Sequence, residues 1–316
     1  MPVLYDCCSK CFFLLAALLI LRGSAAAQTD VDAIMIPRNY FCVGAMYTQG
    51  SWKNYWEGEF KRDNKNIGTL KTRMYAVMGN YGITRNLNLL FGLPYVTTHA
   101  SAGTLRGMQG IQDLSLTLKW KPVTKTWGSN TFSLFALGGV SLPASDYVAD
   151  FLPMSIGLRS RNAWIRAMAD YQRSHFFATA SAVYTKRSII NIDRTAYYTT
   201  EMHYTNEVDM PDTDGFNLRA GYRSKQWIAE GLFEQFNTLG GFDIRKNDMP
   251  FPSNRMNFSR AGVNLKYTFE SVKGLELTGG ASYILKGRNV GQTTMVNGGV
   301  FYIMNFSKPG KTTGNN

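Results

Sequence analysis

The sequence predicts an all-β chain, a single antiparallel transmembrane β-barrel of about twelve strands with short periplasmic turns and long extracellular loops. Three observations predict it. Apolar and polar residues alternate with a period of two through most of the chain, the connections alternate between short and long, and the last strand closes on an aromatic residue. Composition agrees: 45% hydrophobic and 18% charged residues exclude a wholly disordered chain of 316 residues. Only one long apolar run occurs, at the N-terminus, which excludes a helical multispan protein.

That run, Phe12 to Leu21, follows Lys10 and precedes Arg22 and the small residues Ala25, Ala26 and Ala27. It falls well short of the roughly 20 residues a helix needs to span a bilayer, and an A-x-A site follows, so residues 1–27 read as a secretory signal peptide cleaved after Ala27. The barrel then occupies 28–306 and a polar tail 307–316. Cys7, Cys8 and Cys11 leave with the signal. Cys42 remains alone, which excludes an intramolecular disulfide and a thiolate metal site. No cofactor and no metal are expected. The formal charge of +12 becomes +11 once Asp6, Lys10 and Arg22 are removed.

Strands are expected near 40–49, 68–81, 86–97, 110–121, 131–142, 163–171, 175–187, 215–223, 226–238, 257–269, 275–286 and 293–306. Leu114, Leu116, Leu118 and Trp120 oppose Asp113, Ser115, Thr117 and Lys119. Ala261, Val263, Leu265 and Tyr267 oppose Arg260, Asn264 and Lys266. Phe216, Leu218 and Ala220 oppose Asn217 and Arg219, while Leu70, Met74, Ala76 and Met78 oppose Lys71, Arg73 and Tyr75. The connections 83–86, 122–130, 172–174, 224–225 and 270–274 are short. Those at 50–67, 98–109, 143–162, 188–214 and 239–256 are long, and 287–292 completes the set. An outer-membrane barrel segregates turns and loops to opposite rims in this way, and a soluble sandwich has no reason to.

Val300, Tyr302, Met304 and Phe306 form an apolar outer face ending in an aromatic residue, like the C-terminal signal read by the barrel-insertion machinery, which is an expected partner together with outer-membrane lipid. Tyr95, Trp120, Tyr171, Tyr222, Trp227, Tyr267 and Phe306 suit interfacial girdles.

Tyr81-Gly-Ile-Thr-Arg-Asn-Leu-Asn-Leu89, then Leu93-Pro94-Tyr95-Val96, then Gly110 to Trp120 (GIQDLSLTLKW) is similar to the outer-membrane barrel family labelled "MetA-pathway of phenol degradation". The match covers about 40 residues of a family whose members look like transporters, which the YGlT turn, the LPY strand end and the G-x-x-D-L-x-L strand carry. The resemblance implies passage of small aromatic or hydrophobic compounds and transfers no catalytic residues.

With the apolar face of each strand against lipid, the other face lines the interior. The pore-lining candidates are Lys71, Arg73, Asp113, Lys119, Lys121, Arg166, Asp170, Arg219, Arg223, Glu230, Glu234, Arg260, Lys266, Glu276 and Lys286. Ten are basic and five acidic, so the lumen is expected to be net positive and to favour small polar or anionic solutes in a bore narrower than a general porin. The competing expectation is that the cations pair with Asp170, Glu230, Glu234 and Glu276 across strands.

Phe242 to Met256, with two prolines and two aromatics, is a candidate constriction loop. Glu207, Asp209, Asp212 and Asp214 precede Gly215, but Met210 stands at the first ligand position of an EF-hand. His99, His175 and His203 are the available histidines. A barrel enzyme of lipase or protease type, using His99 or His203, and an adhesive or structural barrel are the alternatives. Without G-x-S-x-G or H-E-x-x-H, a non-enzymatic channel is the expectation. Nucleic-acid binding is set aside, because the basic residues lie along alternating strands behind an export signal.

Overall fold

The computed structural model describes residues 29–246 and 248–307. The expected signal peptide, its three cysteines and most of the polar tail lie outside them. Twelve long strands form the wall: β1 (Tyr40–Trp52), β2 (Leu70–Gly82), β3 (Leu87–Ala100), β4 (Asp113–Trp127), β5 (Asn130–Pro143), β6 (Asn162–Arg173), β7 (Phe176–Arg187), β8 (Thr213–Arg223), β9 (Trp227–Thr238), β10 (Asn257–Thr268), β11 (Leu275–Arg288) and β12 (Thr294–Asn305). Each pairs antiparallel with its sequence neighbour. β1 also pairs with β12 from Tyr40↔Asn305 to Ser51↔Thr294, which closes the sheet on itself and leaves no free edge.

The outward side chains are the apolar ones of the alternation. Leu116, Leu118, Val140, Ile165, Leu218, Val263, Leu265 and Val300 are exposed, with Ile165 67% exposed, while their chain neighbours Thr117, Lys119 and Phe301 are buried inside. A contiguous apolar exterior of this extent around a polar interior has a stable setting only in hydrocarbon. Trp120, Trp127, Tyr171, Phe176, Tyr222, Trp227 and Phe306 are exposed near the short-turn end, where the Trp227 and Tyr267 rings lie tilted against each other at 4.5 Å.

Two local departures have identifiable causes. The sequence suggests that Pro122 ends a strand, since it has no N–H for the ladder; instead β4 continues to Trp127 and turns at Gly128 and Ser129. The register shifts between Trp120 and Val123, so a bulge absorbs the proline, and Gly128 takes the left-handed φ of 56° that the tight turn needs. On β11 a second shift places Ile284 opposite Arg260 but Lys286 opposite Ser259, with Leu285 the extra residue.

The long loops carry structure of their own. Asn54–Glu57 pairs with Phe60–Asp63, Ile190–Asn191 with Glu207–Val208, and Tyr197–Tyr198 with Met202–His203. Ala149, Ile190, Ile192, Val208 and Met210 bury a common apolar core with Leu158, Tyr197 and Phe251. A loop cap therefore rests on that rim, held by the same burial that stabilises any small core.

Candidate functional site: the lumen

The interior is built by the polar half of the alternation on β4 to β11. Arg223 lies 3.2 Å from Asp170, Arg260 2.8 Å from Glu234, and Lys266 3.6 Å from Glu276, and Arg219 contacts Glu230 at 2.5 Å. Each pair bridges strands, and neutral groups add further hydrogen bonds. Thr179 donates to Asp170 at 2.5 Å and Asn264 to Glu230 at 2.9 Å. Thr268 donates to Glu276 at 3.0 Å and Arg219 to Asn217 at 3.0 Å. Arg223 also stacks on Phe177 at 3.9 Å. Charges removed from bulk water need such partners, because an unpaired one would cost several kcal/mol.

The opposite wall carries an apolar cluster. Cys42, Phe301 and Ile303 form a buried cluster with Tyr40, Met46 and Met78, and Ile36 from the segment preceding β1 inserts into it. This segment, residues 29–36, runs inside the barrel. Lys119, whose side chain is fully buried, donates to the Thr29 carbonyl at 3.0 Å, the Asp32 carbonyl at 2.6 Å and Asp32 Oδ1 at 2.9 Å. Arg166 donates to Asp30 at 3.2 Å. Ala33 and Met35 pack on Phe135, Leu137 and Met168 beside Trp164. The Trp164 indole lies where a Cβ on Gly139 would be, so glycine there is a steric requirement.

Two voids flank the segment. One, of about 260 Å³, has Met46, Met74 and Phe301 on one side and Arg219, Glu230 and Asn264 on the other. The second, of about 500 Å³, borders Trp164, Arg166, Ser115, Thr117 and Phe236. Both are amphipathic.

Of the fifteen candidates, Asp113, Lys119, Lys121, Arg166, Asp170, Arg219, Arg223, Glu230, Glu234, Arg260, Lys266 and Glu276 share the inward face of their strands. Lys71, Arg73 and Lys286 do not. On β2 the buried positions are Leu70 and Ala76, and Met74 and Met78 pack inward, so Lys71 and Arg73 point out with Tyr75 and Val77. The Leu285 bulge turns Lys286 outward too. Seven basic and five acidic candidates remain inside, Arg187 faces inward beside Phe236, and Asp30 and Asp32 bring the acids to within one of the cations, so most of the expected positive excess is neutralised by a segment that strand periodicity did not assign. Its only sequence signal was the Asp30-Val-Asp32 spacing ahead of β1.

At the loop end, Tyr147 donates to Asp113 at 2.6 Å and accepts from the Arg159 N–H at 2.9 Å; burial and that carboxylate push the Tyr147 hydroxyl well above its usual pKa. Tyr147 and Ile156 pack on Val96, and Thr98 donates to the Met154 carbonyl at 2.6 Å, so the 143–161 loop folds over the mouth. The 239–256 loop is tied to the rim by Asp243, which accepts from Arg288 at 2.8 and 2.6 Å and from Asn289 at 2.7 Å. The Arg288 hydrogen bonds hold the Asp243 carboxyl down to about 2. His99 faces outward, His175 lies beside Tyr222, and His203 bonds Thr199 at 2.8 Å and stacks on Tyr197; none adjoins a serine nucleophile among the hydrogen bonds of the described residues. No group of three His, Cys, Asp or Glu among the described residues is arranged to hold a metal.

The architecture is that of solved outer-membrane barrels. The chain superposes on the COG4313 outer membrane channel from Pseudomonas putida F1 with a TM-score of 0.70 at 15% identity, covering 88% of this chain and 100% of that one. The chain has an outer-membrane barrel fold. The translocator domain of the autotransporter NalP from Neisseria meningitidis is more distant, at TM-score 0.44 and 10% identity over 94% of this chain and 95% of that one. No family model and no curated protein matches the sequence.

Proposed function

We propose that the protein is a bacterial outer-membrane channel that passes small amphipathic solutes, aromatic ones included, and that the 29–36 segment narrows its lumen. The observation that carries this reading is the closed wall around two amphipathic voids, each lined by methionine or aromatic side chains together with hydrogen-bonding groups. A ligand with a ring and one polar substituent matches both surfaces. The resemblance of Tyr81 to Val96 and Gly110 to Trp120 to the phenol-pathway barrels supports the same solute class.

The balance of charge modifies the expectation of anion preference. With Asp30 and Asp32 facing Arg166 and Lys119, field focusing by a basic wall is largely cancelled, and selectivity between small anions and cations is weak. Anion preference is proposed only for a lumen from which the segment has withdrawn. An enzymatic role has no constellation among the described residues to support it.

Liposome swelling tests the reading. Proteoliposomes are expected to admit small phenols and aromatic acids faster than sugars of equal mass. Equal exclusion of every solute by correctly folded protein would remove the channel function.

A further inference from the structure

The three cations that the lumen does not hold are gathered in one place. Lys71 and Arg73 leave the outer face at the long-loop end of β2, and Lys286 leaves it at the same end of β11, with only β1 and β12 between. Lys71, Ser51, Thr294 and Tyr283 follow one another in register across these four strands, and Lys286 stands just above that row. Three strand spacings of about 4.8 Å put roughly 14 Å between the β2 and β11 cations.

Their depth is defined by the strand. Lys71 is ten residues from Tyr81, and at a strand tilt near 40° each residue rises about 2.5 Å, so Lys71 stands roughly 25 Å above the lower aromatic girdle. That is the height of the apolar band. A lysine or arginine is costly at mid-bilayer and nearly free at the interface, so these side chains reach the headgroup layer of the outer leaflet. Below them Tyr47 and Tyr75 lie 5.1 Å apart, and Tyr75, Val77, Tyr283 and Val296 offer an apolar surface to acyl chains.

No carboxylate among the described residues pairs with them. Among the described residues no ion pair involves Lys71, Arg73 or Lys286, and four acids of the overlying loops are engaged elsewhere: Glu57 with Arg62, Asp63 with Lys53, Glu59 and Asp243 with Arg288. The outer faces of β1 and β12 between them carry no carboxylate.

We propose that this flank is a binding surface for the phosphorylated disaccharide headgroup of lipid A, with Lys71 and Arg73 on one phosphate, Lys286 on the other, and the acyl chains along Tyr75 and Val77. The outer leaflet places the ligand there. The separation of the cations favours a headgroup with phosphates at both ends over a phospholipid with one, and Arg and Lys supply charge-assisted hydrogen bonds to phosphate.

The inference rests on the outer-membrane placement but not on conduction. Native mass spectrometry of the full-length barrel released from detergent, titrated with diphosphoryl lipid A, dephosphorylated lipid A or phosphatidylglycerol, tests it. The diphosphoryl form is expected to bind at least about tenfold more tightly than the other two. The triple variant K71Q/R73Q/K286Q should lose that advantage while keeping heat-modifiable migration and conductance, and K71R/R73K/K286R should retain it. Equal binding of the three lipids by the wild-type barrel overturns the proposal whatever the variants do, and so does undiminished binding by the Gln variant. A barrel that binds lipid A but conducts nothing contradicts the channel reading alone.

Discussion

Lys119 and Asp32, 87 residues apart in sequence, meet inside the barrel at 2.9 Å with the lysine side chain wholly buried. The contact fixes the preceding segment across the bore, because the same ammonium also takes the Thr29 and Asp32 carbonyls. Replacing Lys119 by Met leaves Asp32 without its cation, a change that costs about 3–5 kcal/mol when the group stays buried. The carboxylate escapes that cost by moving to water, so K119M is expected to release the segment and raise single-channel conductance several-fold. Unchanged conductance would show that other contacts hold the segment.

The Arg223–Asp170 pair predicts a stability effect distinct from gating. Asp170 accepts from Arg223 and Thr179, and Arg223 lies on Phe177. Asp170→Leu removes the anion and strands the guanidinium, which is expected to lower stability by about 2–4 kcal/mol, given some lumenal hydration. The urea midpoint of heat-modifiable migration measures it, and the double variant D170L/R223M should recover most of the loss.

The Asp243–Arg288 contact gives the loop cap a pH dependence. The folded carboxyl is held at about 2, below its unfolded value near 4, so its contribution is present above about pH 4 and is lost as pH falls through about 2. Protease cleavage within 239–256 should therefore increase between about pH 4 and pH 2 in an acid-tolerant assay, and Asp243→Asn should cleave at the fast rate throughout.

Gly139 and Trp164 make a steric prediction. A Cβ at residue 139 would overlap the Trp164 indole. Gly139→Val must push Trp164 away from Ala33 and Met35, lowering stability by about 1–3 kcal/mol and loosening the segment. A normal denaturation midpoint would show that the indole has room to move.

The wall was legible in the sequence because each strand carries its own instruction. Leu114, Leu116 and Leu118 against Ser115, Thr117 and Lys119 leave one choice of face, and acids and bases on adjacent strands then meet by register, as Glu230 and Arg219 do. Strand β2 was misread because both faces bear apolar groups: Leu70, Met74, Ala76 and Met78 on one, Tyr75, Val77 and Tyr81 on the other. Charges at its outer end cost too little to decide between them. Lys286 was misassigned because a one-residue bulge reverses the parity that periodicity reports. The lumenal segment was missed because its placement depends on Lys119 and Arg166, 87 and 136 residues away from their partners, and no local pattern encodes that distance.

The most direct test of a conduit limited by its own lumenal segment is planar-bilayer conductance of the wild-type chain beside a variant lacking residues 29–36 but retaining residues 1–28. Small, flickering steps are expected for the wild type, and steps several-fold larger with a shift toward anion selectivity for the variant. Identical conductance in the two, with both correctly folded, would contradict that expectation.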